Sequence, residues 1–422
     1  MLARARLVLF LSAAVSTLGC TWGPRALTKS RTKYNQAVQV TANEQLLLNL
    51  VRLRYRDAPE FLTVEGITTQ YRYDTTARLD ADLIASGRDI LGLTGELERR
   101  ERPTISYSPP QDQLFHSRLM TPIDIDTLVQ FCRSGWDWNR VLRLVCQNIN
   151  GVDNATFAGG PTPESKPEFE EFLYLCELLQ TLRNQRAIEM AYDVKTEELS
   201  TEVAADTLKA EDLVTAAEQG LSFRKQGSQT VILTEERTQP VLRVAPQEEV
   251  LHSLEMWEIA RSLDLQPSRT SYDLVSAVQG QLGPDSRMQA SELTEEATRS
   301  KRMQLNIETR SILEIMYFLS HTVQVPREHE ASGLVTVTAD LAGQPFNWQR
   351  LNGDLLQIYV ASHRPPSAVI SVRYRDYWFY IDDRDLESKA TFSLLLQLYN
   401  LEIRSGGATR VPILALGVGG ED

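Results

Sequence analysis

Three short apolar stretches, DLLQIYVAS, SAVISVRYR and YWFYI, lie close together between residues 354 and 381. Connections this short join antiparallel strands, because a parallel pair needs a crossover of a dozen or more residues. In the middle stretch Ile370, Val372 and Tyr374 share one face, and Val369, Ser371 and Arg373 share the other. Arg375-Asp376 reads as a two-residue turn into the third strand. Large residues on both faces of YWFYI mark a central strand. Tyr377, Trp378 and Tyr380 are nonetheless the candidates for stacking on a glycan or peptide, although alternation puts no more than half of such residues on one surface. A helix from Asp383 to about Leu401 packs on this sheet, and VPILALGVG adds a further strand. Asp382, Asp383 and Asp385, where strand meets helix, read as caps of free N–H groups rather than as metal ligands. The expected class is α+β: mixed helices and mostly antiparallel sheet, with a C-terminal β-meander packed by helices.

Upstream, TANEQLLLNLVRLRYRD predicts a helix capped by Thr41 or Asn43, with Leu46, Leu50 and Leu53 on one face and a stop at Pro59. FLTVEGITTQYRYD is a strand whose apolar phase shifts at Gly66, where a bulge would restore one face. TPIDIDTLVQFCR and NRVLRLVCQNI read as helices, and PEFEEFLYLCELLQTLR as an amphipathic one with Phe169, Leu173, Cys176 and Leu179 in line. LSFRKQ, TVILTEE and PVLRVAP follow as strands, QEEVLHSLEMWEIARSL as a helix, and NIETRSILEIMYFLSHTV as a helix capped by Asn306 or Thr309. The chain divides into a signal peptide (1–19), a lipid-anchored tether (20–34), an N-terminal α/β region (35–157), a middle α+β region with an acidic insertion (158–282), a polar linker (283–302) and a C-terminal α+β region (303–422). The loop AGGPTPESKP opens the middle region.

The N-terminus carries Arg4 and Arg6, then twelve mostly apolar residues from Leu7 to Leu18, then Gly19 and Cys20. That is the order of a secretory signal peptide, and the apolar run is shorter than the roughly 20 residues needed to span a bilayer. Thr17-Leu18-Gly19-Cys20 resembles a bacterial lipobox, with its leucine one place nearer the cysteine than is usual. The resemblance implies cleavage after Gly19, acylation of Cys20 and hence membrane lipid as a partner; Thr21 in place of aspartate implies sorting to the outer membrane. Several acyl chains on one residue exceed what stable anchoring requires. Arg25, Lys29, Arg31 and Lys33 follow close behind, where they suit anionic headgroups or simply a solvated spacer.

The formal charge is −12, and loss of Arg4 and Arg6 with the first 19 residues takes it to −14. Such a chain is not expected to bind nucleic acid, which needs Lys and Arg to neutralise phosphates. Cys132, Cys146 and Cys176 cannot all pair within one chain. Cys132 and Cys146, on adjacent predicted helices, are the candidate disulfide; the competing expectation is three buried thiols behaving as small apolar groups. No nucleophile elbow, phosphate loop or dinucleotide fingerprint is present, and the five histidines show no i, i+4 pair. No catalytic residue, cofactor or metal site is therefore expected.

The tetrapeptide RYRD occurs twice, at Arg54–Asp57 and at Arg373–Asp376. The flanks disagree: the first copy ends a helix and the second bends a hairpin, so the repeat reads as one string in two structural jobs. NEQLLLNLVRLRYRDAPEFL and VRYRDYWFYIDDRDLESKATFSLL, with SRLMTPIDIDTLVQFCRSGW and NINGVDN between them, resemble a group of uncharacterised bacterial envelope lipoproteins. The resemblance spans most of the mature chain and implies a shared fold and location, with no activity or functional residue to carry over. The expected function is a non-enzymatic structural, scaffolding or assembly component of the cell envelope, anchored in the outer membrane with a periplasmic body and a protein partner there. The alternatives are a tethered enzyme whose carboxylate pair leaves no short motif, or a glycan- or peptide-binding module acting on cell-wall or exported polymers.

Overall fold

The structure is a computed structural model and describes residues 22–82, 90–108, 113–199, 203–204, 209–225, 230–276 and 302–404. The signal peptide, Cys20, all of the 283–302 linker except Arg302, and VPILALGVG lie outside the described residues. The chain forms two compact units, Met1–Gln45 with Pro59–Phe115 and Leu46–Ala58 with His116–Asp422. The AGGPTPESKP loop lies within the larger unit.

Helix α1 spans Trp22–Arg54, 33 residues and about 50 Å at 1.5 Å per residue. It starts well before the expected caps. The Thr41 hydroxyl instead donates back to the Ala37 and Val38 carbonyls, at 2.9 and 3.1 Å, as a mid-helix threonine does. Leu46, Leu50 and Leu53 form the expected face, joined by Leu47 and Val51, and all five are buried. Past Arg54 the chain closes with Asp57 N–H donating to the Arg52 carbonyl (2.9 Å) and Arg56 N–H to the Leu53 carbonyl (3.0 Å). This six-to-one and five-to-two pair puts Arg56 in the left-handed region at φ 60°.

In the smaller unit β1 (Thr63–Asp82) pairs with β2 (Ile90–Ser108) along its whole length, from Thr63 opposite Ser108 to Asp82 opposite Ile90. The register breaks between Val64 and Gly66, where the phase shift predicted a bulge. The second strand was not foreseen.

Helix α2 spans Gln113–Met120, and the larger unit continues with α3 (Ile125–Arg133) and α4 (Trp138–Val145). NRVLRLVCQNI is helical only to Val145; Cys146–Ile149 is strand β3, paired with β4 (Val152–Asp153). Helix α5 (Glu170–Asn184) buries Phe172, Leu175, Cys176, Leu179 and Leu182, so the stripe passes through Phe172 rather than Leu173. Then follow β5 (Ile188–Glu198), β6 (Val203–Ala204), α6 (Ala210–Glu218), β7 (Leu221–Lys225), β8 (Thr230–Val244), α7 (Glu248–Leu251), α8 (Leu254–Ser262), β9 (Ser271–Ser276) and β10 (Gln304–Thr309). Two expected strands merge into β8, which carries Pro240 opposite Tyr192 of β5. The eight strands form one sheet in the order β4-β3-β10-β9-β8-β5, with β6 and β7 also on β8. Its β9–β10 pairing is parallel.

NIETRS is a strand, not a helix start. Leu305, Ile307 and Thr309 are buried in β10 between β3 and β9, and alternation at a central position outweighs helix propensity. Helix α9 (Ile312–Ser320) then begins with a capping box: Ser311 Oγ accepts from Glu314 N–H (3.3 Å), and the Glu314 carboxylate accepts from Ser311 N–H (2.7 Å).

After α10 (Arg327–Ala331) and α11 (Gln349–Asn352) come β11 (Tyr359–Ala361), β12 (Ala368–Tyr374) and β13 (Tyr377–Asp382), the expected antiparallel C-terminal sheet. Its order is β11-β13-β12, so YWFYI is central as predicted. Arg375 (φ 46°) and Asp376 (φ 67°) make the two-residue turn, both left-handed. Helix α12 (Leu386–Arg404) buries Phe392, Leu394, Leu395 and Leu398. The Asp385 carboxylate accepts from Ser388 N–H (3.0 Å) and Ser388 Oγ–H (2.6 Å), in keeping with the capping reading. No described helix is long and apolar enough to cross a membrane.

Candidate functional site at the paired RYRD segments

The end of α1 meets the β12–β13 turn, and the two RYRD strings touch. The Asp57 carboxylate accepts from the Tyr374 hydroxyl and from the Arg375 guanidinium (3.0 Å). The Arg375 guanidinium also lies over the Tyr55 ring, 4.9 Å from its centroid, while the Tyr55 and Tyr374 rings are 5.6 Å apart. Residues separated by more than 300 positions thus form one polar–aromatic junction. Reading the repeat as two separate jobs missed this. Both jobs are present, and each shape sets the contact: the left-handed cap at Arg56 precedes Asp57, and the tight turn carries Arg375.

Further groups extend the junction. The Tyr55 hydroxyl and His329 Nδ1 share a hydrogen bond of 2.7 Å, and the His329 ring meets Tyr377 edge-on at 5.4 Å. Tyr377 donates its hydroxyl proton to Glu328 at 2.7 Å. On the other side Arg54 donates to Thr162 Oγ1 (3.2 Å) and the Thr336 carbonyl (3.0 Å), and Arg56 donates to the Thr162 carbonyl (3.0 Å). Both arginines of the first string therefore hold the AGGPTPESKP loop against the helix end. Thr162 leads inward to His321, whose Nδ1 lies 3.4 Å away, whose Nε2 faces the Ala158 carbonyl at 3.0 Å and whose ring stacks on Trp348 at 4.2 Å.

Burial pushes the Tyr55 hydroxyl up to about 12 despite the nearby guanidinium of Arg375, so it keeps its proton. Burial alone would raise the Asp57 carboxyl, but its hydrogen bonds from Tyr374 and Arg375 outweigh that and hold it below the usual carboxylate range. Asp57 is thus an ionised acceptor at neutral pH and a poor proton donor. Replacing Asp57 by Ala and Tyr374 by Phe, singly and together, should give a coupling of about 1–2 kcal/mol for this charge-assisted bond. Denaturant titration of the four proteins measures it, and additivity would mean the contact does not form in solution.

The candidates read from the sequence fall elsewhere or apart. Tyr377 faces the junction with Phe379 and Ile381, while Trp378 and Tyr380 lie on the opposite face of β13 by alternation. All three candidate rings are half-buried. Arg364 covers Trp378 at 5.5 Å, and Tyr359 packs on Tyr380 at 5.6 Å. The candidate disulfide does not form: Cys132, Cys146 and Cys176 are free, buried thiols. Cys132 sits on the buried stripe of α3 and Cys146 begins β3, each within the core. Burial raises Cys132 and Cys176 well above the usual thiol range and Cys146 to about 12, which suits inert apolar packing. Among the described residues no group of three or more His, Cys, Asp or Glu side chains is placed to hold a metal ion. Tyr55, Asp57, His329 and Arg375 were missed as a group, and the repeated tetrapeptide was their one sequence signal.

These features define an α+β protein organised around a junction between its two RYRD segments. Comparison with protein-family models, curated proteins and solved structures gave no match.

Proposed function

We propose that the protein is a lipid-anchored component of the bacterial cell envelope, held in the outer membrane through acylated Cys20. Its body then faces the periplasm and acts as a scaffold or assembly partner rather than an enzyme. Membership of the lipoprotein group that the RYRD segments resemble is part of the proposal. The observation that carries it is the N-terminal order of arginines, a short apolar run, Gly19 and Cys20. The junction adds support of a different kind. Its phenols and carboxylates are bound to one another, which suits a rigid body better than a poised acid–base pair.

Cys20→Ala tests the reading. Fatty-acid labelling should disappear, and the protein should move from the membrane to the soluble fraction. Equal membrane retention of the variant would overturn the anchor.

A further inference from the structure

Helices α7 and α8 leave an open cavity of about 290 Å³ away from the RYRD junction, walled by Leu251, Leu254, Met256, Trp257 and Pro267 together with the polar His252, Ser253 and Ser268. Leu254 is 67% and Trp257 53% exposed, although large apolar side chains are ordinarily turned inward. Tyr174, 47% exposed on α5, reaches the same surface, where its hydroxyl donates to the Glu258 carboxylate. The Arg261 guanidinium lies 5.5 Å from the Trp257 ring centroid. The two helices are acidic: they carry Glu248, Glu249, Glu255 and Glu258 against Arg261 as their one Lys or Arg.

We propose that this cavity docks a basic segment of a protein partner, taking one large apolar side chain of that segment against Trp257 and Leu254. The proposal rests on the scaffold reading above and gives the partner a chemistry. A concave apolar patch with an aromatic wall is the form taken by an interface anchor. The acidic balance of the two helices favours lysine and arginine flanking that anchor and disfavours phosphate or acidic chains. Leucine, methionine and proline supply most of the wall, with His252, Ser253 and Ser268 as its polar members, so an aliphatic or aromatic group seats there beside a few polar contacts.

The test uses full-length protein in detergent micelles and a labelled peptide, Lys-Lys-Gly-Trp-Gly-Lys-Lys, with binding followed by fluorescence anisotropy. Trp257→Ala, which changes no charge, should weaken binding about tenfold, as should alanine in place of the peptide's tryptophan. Glu248→Lys with Glu249→Lys should weaken it about three- to fivefold. The proposal is overturned if Trp257→Ala binds like wild type, or if a peptide with glutamate in place of lysine binds equally well. It is also overturned if a neutral oligosaccharide, and not the peptide, binds in a Trp257-dependent way. Peptide binding does not depend on Cys20, and fractionation does not depend on Trp257, so failure of one claim is separable from failure of the other.

Discussion

Arg310→Ala should lower folding stability by about 3–5 kcal/mol, a large share of what a folded domain ordinarily has. Arg310 is fully buried in the core of the larger unit. Its Nη1 donates to the carbonyls of Arg143 (3.0 Å) and Cys146 (2.9 Å), more weakly to that of Leu144 (3.4 Å), and its Nη2 donates to the carbonyl of Asn154. Arg143 and Leu144 lie in the last turn of α4, so the guanidinium supplies donors and positive charge where a helix end has unpaired carbonyls. Phe318 lies against it, 4.2 Å from ring centroid to guanidinium carbon. Burial lowers Arg310 to about 10, still high enough to keep its charge at neutral pH. Alanine would leave several buried carbonyls without these donors and open a cavity. Lysine should not restore stability, because one ammonium cannot span the fork of acceptors. Urea titration of wild type, Arg310→Ala and Arg310→Lys reads the effect, and a loss under about 1 kcal/mol would show that water or local repacking satisfies the carbonyls.

His321 should make stability fall as the solution is acidified from about pH 6.5. Burial lowers its folded pKa to about 3 from the ordinary 6.5, with Arg54 and Arg310 adding to the effect and the Ala158 carbonyl opposing it. Between those values the unfolded chain binds a proton that the folded chain does not. Stability is therefore fully present above pH 6.5 and is lost at up to about 1.4 kcal/mol per pH unit below it. At pH 4.5 the loss from this residue alone is on the order of 2–3 kcal/mol. Acids with lowered folded pKa values, Asp57 and Asp354 among them, also lose stability on acidification, near their own lower range. Comparison with His321→Gln isolates the histidine: the variant should show a flatter profile between pH 4.5 and 6.5. Parallel profiles would mean that His321 is solvated or already charged.

Where local chemistry decided the shape, the sequence was a good guide. The Arg375-Asp376 turn, the bulge beside Gly66 and the central place of YWFYI each follow from a few adjacent residues. Helix ends were harder, for an identifiable reason. Arg56, Arg186 and Asp264 take left-handed caps at φ 60°, 58° and 47°, positions where glycine is the usual signal. Strand β2 drew no expectation because ELERRERP is charged and ends in proline, and it extends through pairing with β1. The RYRD junction needed tertiary placement. Nothing near Asp57 in the chain announces that Tyr374 and Arg375 will meet it.

That meeting bears on how the molecule is made. The buried end of α1 is synthesised early, while the hairpin that grips Asp57 and the central strand of the last sheet come from residues 374–382. Contacts of such long sequence separation form late and slowly. The larger unit cannot close its fold around the end of the first helix until the chain has been made through residue 382.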